Sequence, residues 1–448
     1  MEMTVKAARL CVLLIAVTTY VWSEEVEKPF RAGFAKRDIT PSESVPLWGY
    51  DAENRPDNLS KGVLDPLNAK CVVIQAGDKK LAIVGLDLGR APNEPLIKSV
   101  RDEVSGQYGI DFLLLCASHT HHGPAMEFED RDGYGRGPFD ASIRYYKELR
   151  QKLVDVIGEA STALTDARIG FDTKQCLLNR NRHSQIEPIP CDRDLTVIRI
   201  DDDGGNILAL LVNYQAHPTV HPPQNNKFTA EFPGVMMAAV EKELSTNCIF
   251  IQGAAGDLQC EMDDDLWGEK DFIQEIGLAL AKEVIDMAPG IQITRPASPS
   301  LVGDRKRYTC SLRLDFSQPG LREMYAGAFT PELTNCFFDK YADGEMHPRL
   351  STVLLNDNLY FVGASGEFFC EHAQNLKSRI RDAKVVFAGY CNGHDMYFPT
   401  IKGAAEGGYG ADPGVAWAAL GTAERMMDDA LIQFYKYRGR FEDSALNP

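Results

Sequence analysis

Three histidines lie within one short run of the sequence. His119, His121 and His122 follow an apolar stretch that is typical of a buried strand, and Gly123-Pro124 ends the run. Because successive side chains of a strand point to opposite faces, a His-x-His pair such as His119 and His121 places two imidazoles on the same side. Neutral imidazole nitrogens are ligands that zinc prefers. The run therefore predicts a metal or catalytic site, the alternative being a structural histidine cluster.

Four further apolar stretches also lead into polar loops. His217 follows the first, a glycine-rich loop ending in Asp257 follows the second, Glu367 follows the third, and Tyr397 lies beyond the fourth. Loops carried on one edge of a scaffold are where functional sites are usually built. Each residue taken singly could be a capping carboxylate or a core tyrosine. Taken as a set, they indicate one shared site.

The elements that must position these residues are short apolar strands. Two pairs of them are separated by turns at residues 76–78 and 203–206, which predict hairpins. The predicted strands cover residues 71–75, 81–86, 112–116, 195–200, 207–212, 248–251, 359–362 and 385–388.

Helical patterns lie between the predicted strands. Apolar residues spaced by three and four predict helices over 143–157 and 273–287, and a third helix is predicted over 415–434. The segment 289–301, rich in proline and serine, is interpreted as an internal connection that leads to a strand over 308–316. Because strands, hairpins and helices alternate irregularly, we predict one large mixed α/β domain whose mixed β-sheets are flanked by helices.

The composition is that of an acidic globular chain. Its 448 residues include 47 Lys and Arg against 64 Asp and Glu, a formal net charge of −17, and 44% of them are apolar. The apolar and charged fractions exclude a disordered or fibrous chain. A protein this negative repels nucleic acid and anionic membranes, so we expect no nucleic-acid partner.

The first 23 residues predict a signal peptide. Lys6 and Arg9 precede the apolar run 10–22, which is shorter than the ~20 residues of a spanning helix, and small residues stand at Val21 and Ser23. We expect cleavage near Ser23, a secreted or periplasmic protein, and no membrane span after cleavage. An uncleaved membrane anchor is the alternative.

Export would permit disulfide bonds. Removal of the signal peptide leaves ten of the eleven cysteines, and an even number is compatible with pairing in an oxidising compartment. Cys176 with Cys191, and Cys248 with Cys260, are the candidate pairs, because each pair brackets a short loop.

Taken together, the motifs resemble those of the neutral (alkaline, non-lysosomal) ceramidases, whose catalytic domain is a zinc-dependent amidase. The resemblance runs from Gly33 to about Gly421. It implies a ceramidase-like catalytic domain over residues 30–440 without the family's C-terminal immunoglobulin-like domain. The matching motifs are Gly33–Pro41, Gly49-Tyr50, Asp87, Ser118–Pro124, Asn181-Arg182, Gly256-Asp257, Gly366–Phe368 and Asn392–Tyr397.

The resemblance also implies a role for each matching residue. It implies four zinc ligands, namely His119, His217, Glu367 and Tyr397. It further implies His121 as the proton-transfer residue, with Arg182 and Tyr409 holding the substrate carbonyl. The implied reaction is cleavage of an N-acyl amide bond by zinc-activated water, in a lipid or small-molecule N-acyl substrate.

The sequence departs from the family at informative positions. After Gly256-Asp257 the family has a hydrophobic residue, a catalytic Ser and a Pro, whereas this chain has Leu258, Gln259 and Cys260. His122 replaces a Ser, and Gly410 stands where the family usually has Glu. Because Gln259 replaces the Ser, we expect direct hydrolysis without an acyl-enzyme.

The substrate therefore stays open at this point. One alternative is a hydrolase that acts on another ester, amide or sugar-linked substrate, which the acidic residues Glu261, Asp263, Asp264 and Asp265 favour. The other is a non-catalytic metal-binding protein.

Overall fold

The computed structural model describes residues 29–441; the predicted signal peptide, residues 1–23, lies outside them. The described strands are β1 (Phe30–Asp38), β2 (Asn68–Ala76), β3 (Lys79–Leu86), β4 (Phe112–Ala117), β5 (Thr165–Gln175), β6 (Asn179–Asn181), β7 (Asp194–Asp202), β8 (Ile207–Tyr214), β9 (Cys248–Gln252), β10 (Leu258–Cys260), β11 (Leu301–Arg307), β12 (Cys310–Ser311), β13 (Glu345–Met346), β14 (Arg349–Leu355), β15 (Leu359–Ala364), β16 (Glu367–Phe368), β17 (Lys384–Ala388) and β18 (Tyr397–Phe398). The described helices are α1 (Glu94–Tyr108), α2 (Asp140–Thr162), α3 (Glu231–Leu244), α4 (Ile273–Met287), α5 (Pro319–Ala328), α6 (Pro331–Lys340), α7 (Cys370–Arg379), α8 (Ile401–Glu406) and α9 (Thr422–Tyr437).

Two mixed sheets form the centre of the fold. The larger has eight strands in the order β4-β3-β2-β1-β5-β7-β8-β9, and the smaller has four in the order β11-β14-β15-β17. Most neighbouring strands are antiparallel, but β3–β4, β8–β9 and β15–β17 are parallel pairs. The sheets pack face to face through buried side chains such as Leu114 and Ile251 on the large sheet and Phe361 and Val386 on the small one. This shared core joins both sheets into one domain.

Helices cover the outer face of each sheet. Helices α1 and α2 pack on one part of the large sheet and α3 and α4 on another, while α7 and α9 pack on the small sheet. Strands such as β2, β3 and β8 are buried on both faces and are therefore apolar runs rather than alternating ones, whereas the edge strand β11 is largely exposed. The predicted mixed α/β domain with helix-flanked sheets is confirmed. Within residues 29–441, none of the helices is both long enough and apolar enough to cross a membrane.

The ends of several strands meet at one place, as the polar loops predicted. At the end of β9, the Gln252 side chain donates a hydrogen bond to the backbone oxygen of Ser118, which follows β4 (3.1 Å). After β17, the backbone N–H of Gly389 donates to the Gln252 oxygen (3.0 Å), and Ala117 donates to the Tyr390 oxygen (3.3 Å). The loops after β4, β9 and β17 are therefore held together by backbone hydrogen bonds.

All eight predicted strands and both predicted hairpins are present. The prediction of a strand over 308–316 is wrong: the pairing with β14 runs from Leu301 to Arg307, and only Cys310–Ser311 forms a further short strand. The third helix begins at Thr422 rather than at residue 415. Gly421, with a φ of 81°, lies in a left-handed conformation that is incompatible with a continuous helix, and Trp417 is buried in the core.

The proposed disulfides are not formed, because the ten cysteines of the described chain are free thiols. Cys248 begins β9 and faces Met236, whereas Cys260 lies on β10 beside the backbone of His217. Cys191 instead contacts the Asn179 side chain (3.6 Å).

The junction between the sheets depends on Asn213, and its replacement by alanine is expected to destabilise the protein. The buried Asn213 amide donates to the backbone oxygens of Ile251 on the large sheet (3.0 Å) and Phe387 on the small one (2.9 Å). Leaving buried carbonyls unpaired costs about 1–3 kcal/mol each. We expect the free energy of unfolding, measured in urea, to fall by ~2–4 kcal/mol. Asn375→Ala on the exposed face of α7 is the control, expected within about 0.5 kcal/mol of wild type. Equal stability of both variants would contradict this role.

Candidate metal centre

Two buried imidazoles face each other at the convergence of the strand ends. The Nδ1 atom of His119 lies 2.6 Å from the backbone oxygen of Gly89, and that of His217 lies 2.7 Å from the oxygen of Ala255. A carbonyl oxygen only accepts hydrogen bonds, so each Nδ1 carries the proton and each Nε2 presents a lone pair. The two Nε2 atoms are 3.0 Å apart. Neither Nε2 atom carries a proton, so neither can donate a hydrogen bond to the other. Two facing nitrogen lone pairs of this kind suit the binding of a cation.

The carboxylate of Glu367 lies beside both of these imidazoles. Its Oε2 atom lies 3.2 Å from the Nε2 atoms of both His119 and His217. Four ligands at the 2.0–2.1 Å bond lengths of zinc form a tetrahedron whose edges are about 3.3 Å. The three measured edges of 3.0, 3.2 and 3.2 Å match one face of such a tetrahedron. These three residues therefore fit a metal ion, as the sequence predicted for them.

The charges of this group suit a divalent cation. Burial, together with the nearby Arg182 guanidinium, lowers the pKa of His217 to about 3. Burial opposes ionisation of Glu367, but the interactions with His119, His217 and His394 outweigh it and hold the pKa of this carboxyl well below its usual range. Neutral imidazole and ionised carboxylate are the forms that bind metals.

His121 lies beside the three ligands rather than apart from them. Its Nε2 atom is 3.4 Å from the Nε2 of His119, and the set of His119, His121 and His217 is itself compact enough to hold a metal. Its other ring nitrogen is buried without a hydrogen-bond partner. Burial and the neighbouring His119 and His217 hold the pKa of His121 well below its usual value, so it is a neutral base at pH 7. The sequence assigned His121 to proton transfer, and its position is compatible with that role or with metal binding.

Arg182 and Tyr397 lie at the edge of the ligand group. One guanidinium nitrogen of Arg182 is 3.1 Å from the Tyr397 hydroxyl, 3.1 Å from His217 Nε2 and 3.1 Å from the Gly256 oxygen. The Tyr397 hydroxyl is 3.5 Å from His217 Nε2, farther than the three closer ligands are from one another. Arg182 and Tyr397 thus place two polar groups beside the three closer residues.

Tyr409 lies at the mouth of the site. Its ring packs edge-on against Tyr397, 5.6 Å between centroids, and lies 5.7 Å from the Arg182 guanidinium carbon. The residue is 65% exposed, in contrast to the buried Tyr397. The structure therefore brings all seven predicted site residues into one region, with Tyr409 on its rim.

Sequence reasoning missed two residues that contact Glu367. The Nε2 atom of His394 lies 3.1 Å from Glu367 Oε1, and the set of His119, Glu367 and His394 is also compact enough to hold a metal. The Tyr390 ring tilts over the His119 ring, 4.0 Å between centroids, and its hydroxyl is 3.5 Å from Glu367 Oε2. His394 lies within the matching motif 392–397, but nothing in that motif showed that its ring would turn toward Glu367.

The Asp257 side chain stabilises the loops around the site and does not face the metal centre. Its carboxylate accepts hydrogen bonds from the backbone N–H of Cys370 (2.6 Å) and from the Asn181 side chain (2.8 Å). Its backbone oxygen accepts from the N–H of Arg182 (2.8 Å). The glycine-rich loop that ends in Asp257 does reach the shared site, but these contacts direct the Asp257 carboxylate to the neighbouring loops.

Two adjoining cavities reach the metal centre. Both are lined by His121, Tyr397 and Tyr409. The first, of about 240 Å³, has mostly apolar walls, including Leu47, Trp48, Phe128, Leu333 and Phe337. The second, of about 640 Å³, shares part of its lining with the first and adds the polar residues Asp51, Asn54, Arg182 and Gln259. A substrate bound at the centre therefore has room for an apolar group against the walls of the first cavity and for polar groups beside these four residues.

Comparison with known proteins identifies this architecture. A crystal structure of neutral ceramidase from Pseudomonas aeruginosa superposes with a TM-score of 0.69 at 18% identity, covering 94% of this chain and 76% of that one. The fold is that of the neutral ceramidases. A ceramidase complexed with C2 superposes with the same TM-score of 0.69 at 19% identity, covering 94% of this chain and 77% of that one. No family model and no curated protein matches the sequence. The resemblance to ceramidases predicted from sequence motifs is thus confirmed for the fold.

Proposed function

We propose that this protein is an exported zinc-dependent hydrolase that cleaves the N-acyl amide bond of an apolar substrate. The observation that supports this most directly is the convergence of His119 Nε2, His217 Nε2 and Glu367 Oε2 within 3.0–3.2 Å, in a ceramidase fold. Zinc, held by these three residues and by Tyr397 as a more distant fourth ligand, would supply Lewis-acid activation of water and of the amide carbonyl.

The residues around the centre suit the other requirements of amide hydrolysis. His121, neutral and beside the ligands, can take a proton from the attacking water and return it to the leaving amine. Arg182 can donate a hydrogen bond to the carbonyl oxygen as negative charge develops on it, and its charge stabilises that oxygen further. The exposed Tyr409 can close over the bound carbonyl from the rim.

The cavities favour an N-acyl lipid over a sugar-linked substrate. Aromatic and aliphatic side chains line the smaller cavity next to His121 and suit an acyl chain. Glu261, Asp263 and Asp265, which suggested a polar site, line neither of the two cavities. The polar groups of the larger cavity, among them Asp51 and Gln259, suit the hydroxyls or amine of the other half of the substrate.

The function is tested by metal analysis combined with a substrate panel. Purified protein is expected to contain about one zinc per chain and to hydrolyse N-acyl lipids, with activity lost in chelator and restored by Zn²⁺. N-acyl sugars and simple esters serve as the comparison. Hydrolysis confined to the sugars or the esters would reassign the substrate. Zinc that raises the melting temperature without turnover of any member of the panel would make the protein a non-catalytic metal binder.

Gln259→Ser is expected to change activity less than about tenfold, a barrier change of about 1.4 kcal/mol. Gln259 lies on β10 opposite Arg180 and lines the larger cavity, where the ceramidase family has its catalytic serine. If the wild-type reaction is direct attack by water, restoring the serine adds no required group. Gln259→Ala is the control that removes the side-chain amide of Gln259 without adding a hydroxyl. A large gain of ceramidase activity in the serine variant alone, or rapid trapping of an acyl-enzyme in wild type, would overturn direct hydrolysis.

A further inference from the structure

The two oxygens of Glu367 have different surroundings. Oε2 faces the Nε2 atoms of His119 and His217 at 3.2 Å, the position of a metal ligand. Oε1 lies 3.1 Å from the Nε2 atom of His394. An ionised carboxylate only accepts hydrogen bonds, so His394 must donate its Nε2–H to Oε1. The geometry therefore assigns one oxygen to the metal and the other to a histidine.

The His394 ring is held firmly in this orientation. Its side chain is 1% exposed. The Trp48 ring meets it edge-on at 5.8 Å, and the rings of His119 and Tyr390 stack near it at 6.0 and 6.1 Å. A ring enclosed on these sides loses little further freedom when it donates to Glu367. It is thus preorganised as a partner of the carboxylate.

The loop that carries His394 is also fixed on both sides. Before it, the Asn392 side chain accepts from the N–H of Leu115 (3.0 Å) and donates to the oxygen of Leu113 (2.8 Å). After it, the Asp395 carboxylate accepts from the Ser365 hydroxyl (2.7 Å). Asn392 and Met396 both have positive φ values, of 55° and 62°. Such conformations persist where surrounding contacts impose them, and they cluster at functional sites.

We propose that His394 is a positioning residue: its hydrogen bond holds Oε1 of Glu367, so that this carboxylate can offer only Oε2 to the metal. A carboxylate free to turn could bind with both oxygens and occupy a coordination position that a catalytic site must keep open. Partners of this kind orient metal ligands, and their loss typically weakens metal affinity ~10–100-fold. The inference rests on the metal centre of the proposed function and adds to it a residue outside the ligand set.

The test compares His394→Leu with His394→Gln, whose amide can still donate near the position of Nε2. Zinc affinity is measured by competition with a chromophoric chelator. We expect His394→Leu to bind Zn²⁺ ~10–100-fold more weakly and His394→Gln to keep most of the wild-type affinity. His372→Leu is the matched control, because His372 is another buried histidine, on α7, and is absent from both metal-capable groups around Glu367. That control is expected to bind zinc as wild type does.

Cobalt substitution provides a readout independent of activity. In His394→Leu the freed carboxylate is expected to bind with both oxygens, and the higher coordination number weakens the visible absorption of bound Co²⁺; His394→Gln is expected to keep the wild-type spectrum. Unchanged zinc affinity in His394→Leu would overturn the proposal. So would a fully loaded His394→Gln with an altered cobalt spectrum, since His394 would then be a direct ligand. If wild type itself binds no metal, the proposed function fails, which is a distinct outcome.

Discussion

His217→Ala is expected to lose the bound metal and at least ~10³-fold of the hydrolytic activity. The metal supplies several kcal/mol of transition-state stabilisation, and each 1.36 kcal/mol is tenfold in rate. The Nε2 atom of His217 lies 3.0 Å from His119 Nε2 and 3.2 Å from Glu367 Oε2. Its removal therefore takes away one of the three groups that would hold the metal. Metal content by mass spectrometry and kcat/KM on an N-acyl lipid are the two measurements.

A matched substitution shows whether the loss of metal and activity is specific to His217 or follows the removal of any histidine. His372, a buried histidine on α7, lies outside the groups of described residues that could hold a metal. His372→Ala is therefore expected to retain zinc and activity. If His217→Ala kept stoichiometric zinc and wild-type turnover, the assignment of the centre would be wrong. Comparing melting temperatures of the metal-free forms shows whether folding contributes to any loss.

Arg182→Ala is expected to lower kcat by ~10²–10³-fold while zinc remains bound, the cost of removing one donor to a developing oxyanion. The guanidinium is held by Gly256 and lies 3.1 Å from the Tyr397 hydroxyl, so it is already placed at the open side of the centre. Because the interaction strengthens as charge develops, the loss is expected in kcat more than in KM.

Two comparisons sharpen the Arg182 experiment. Arg182→Lys keeps the charge but not the planar set of donors, so we expect it to recover only part of the rate. Arg180→Ala, two residues before Arg182 on β6 and paired with Gln259, tests whether any change in this segment has the same effect. A large rise in KM with unchanged kcat would instead make Arg182 a residue for substrate binding. Loss of zinc in Arg182→Ala would make it a support for His217.

Much of the fold followed from local sequence patterns. The eight apolar runs that predicted strands are all strands, because a short apolar run between turn signals is typical of a buried strand. The segment 308–316, which alternates polar and apolar residues, was wrongly predicted as a ninth. Boundaries were less predictable where tertiary contacts decide them. The segment before α9 has apolar residues at helical spacing, yet burial of Trp417 and the left-handed Gly421 delay the helix to Thr422. The disulfide candidates were wrong because nearness in sequence does not bring two sulfurs together: Cys248 contacts Met236, whereas Cys260 contacts the backbone of His217.

Residue types and motifs were sufficient to predict the kind of chemistry that this protein can offer. The resemblance to ceramidase motifs implied His119, His217 and Glu367 as ligands, since residue type and position after a strand are local properties. How these groups act together depends on tertiary contacts. The Gly89 and Ala255 carbonyls fix which imidazole nitrogen faces the centre, and His394 takes one oxygen of Glu367. Those contacts join residues far apart in the chain, and their geometry depends on the packing of two sheets, which no local pattern encodes.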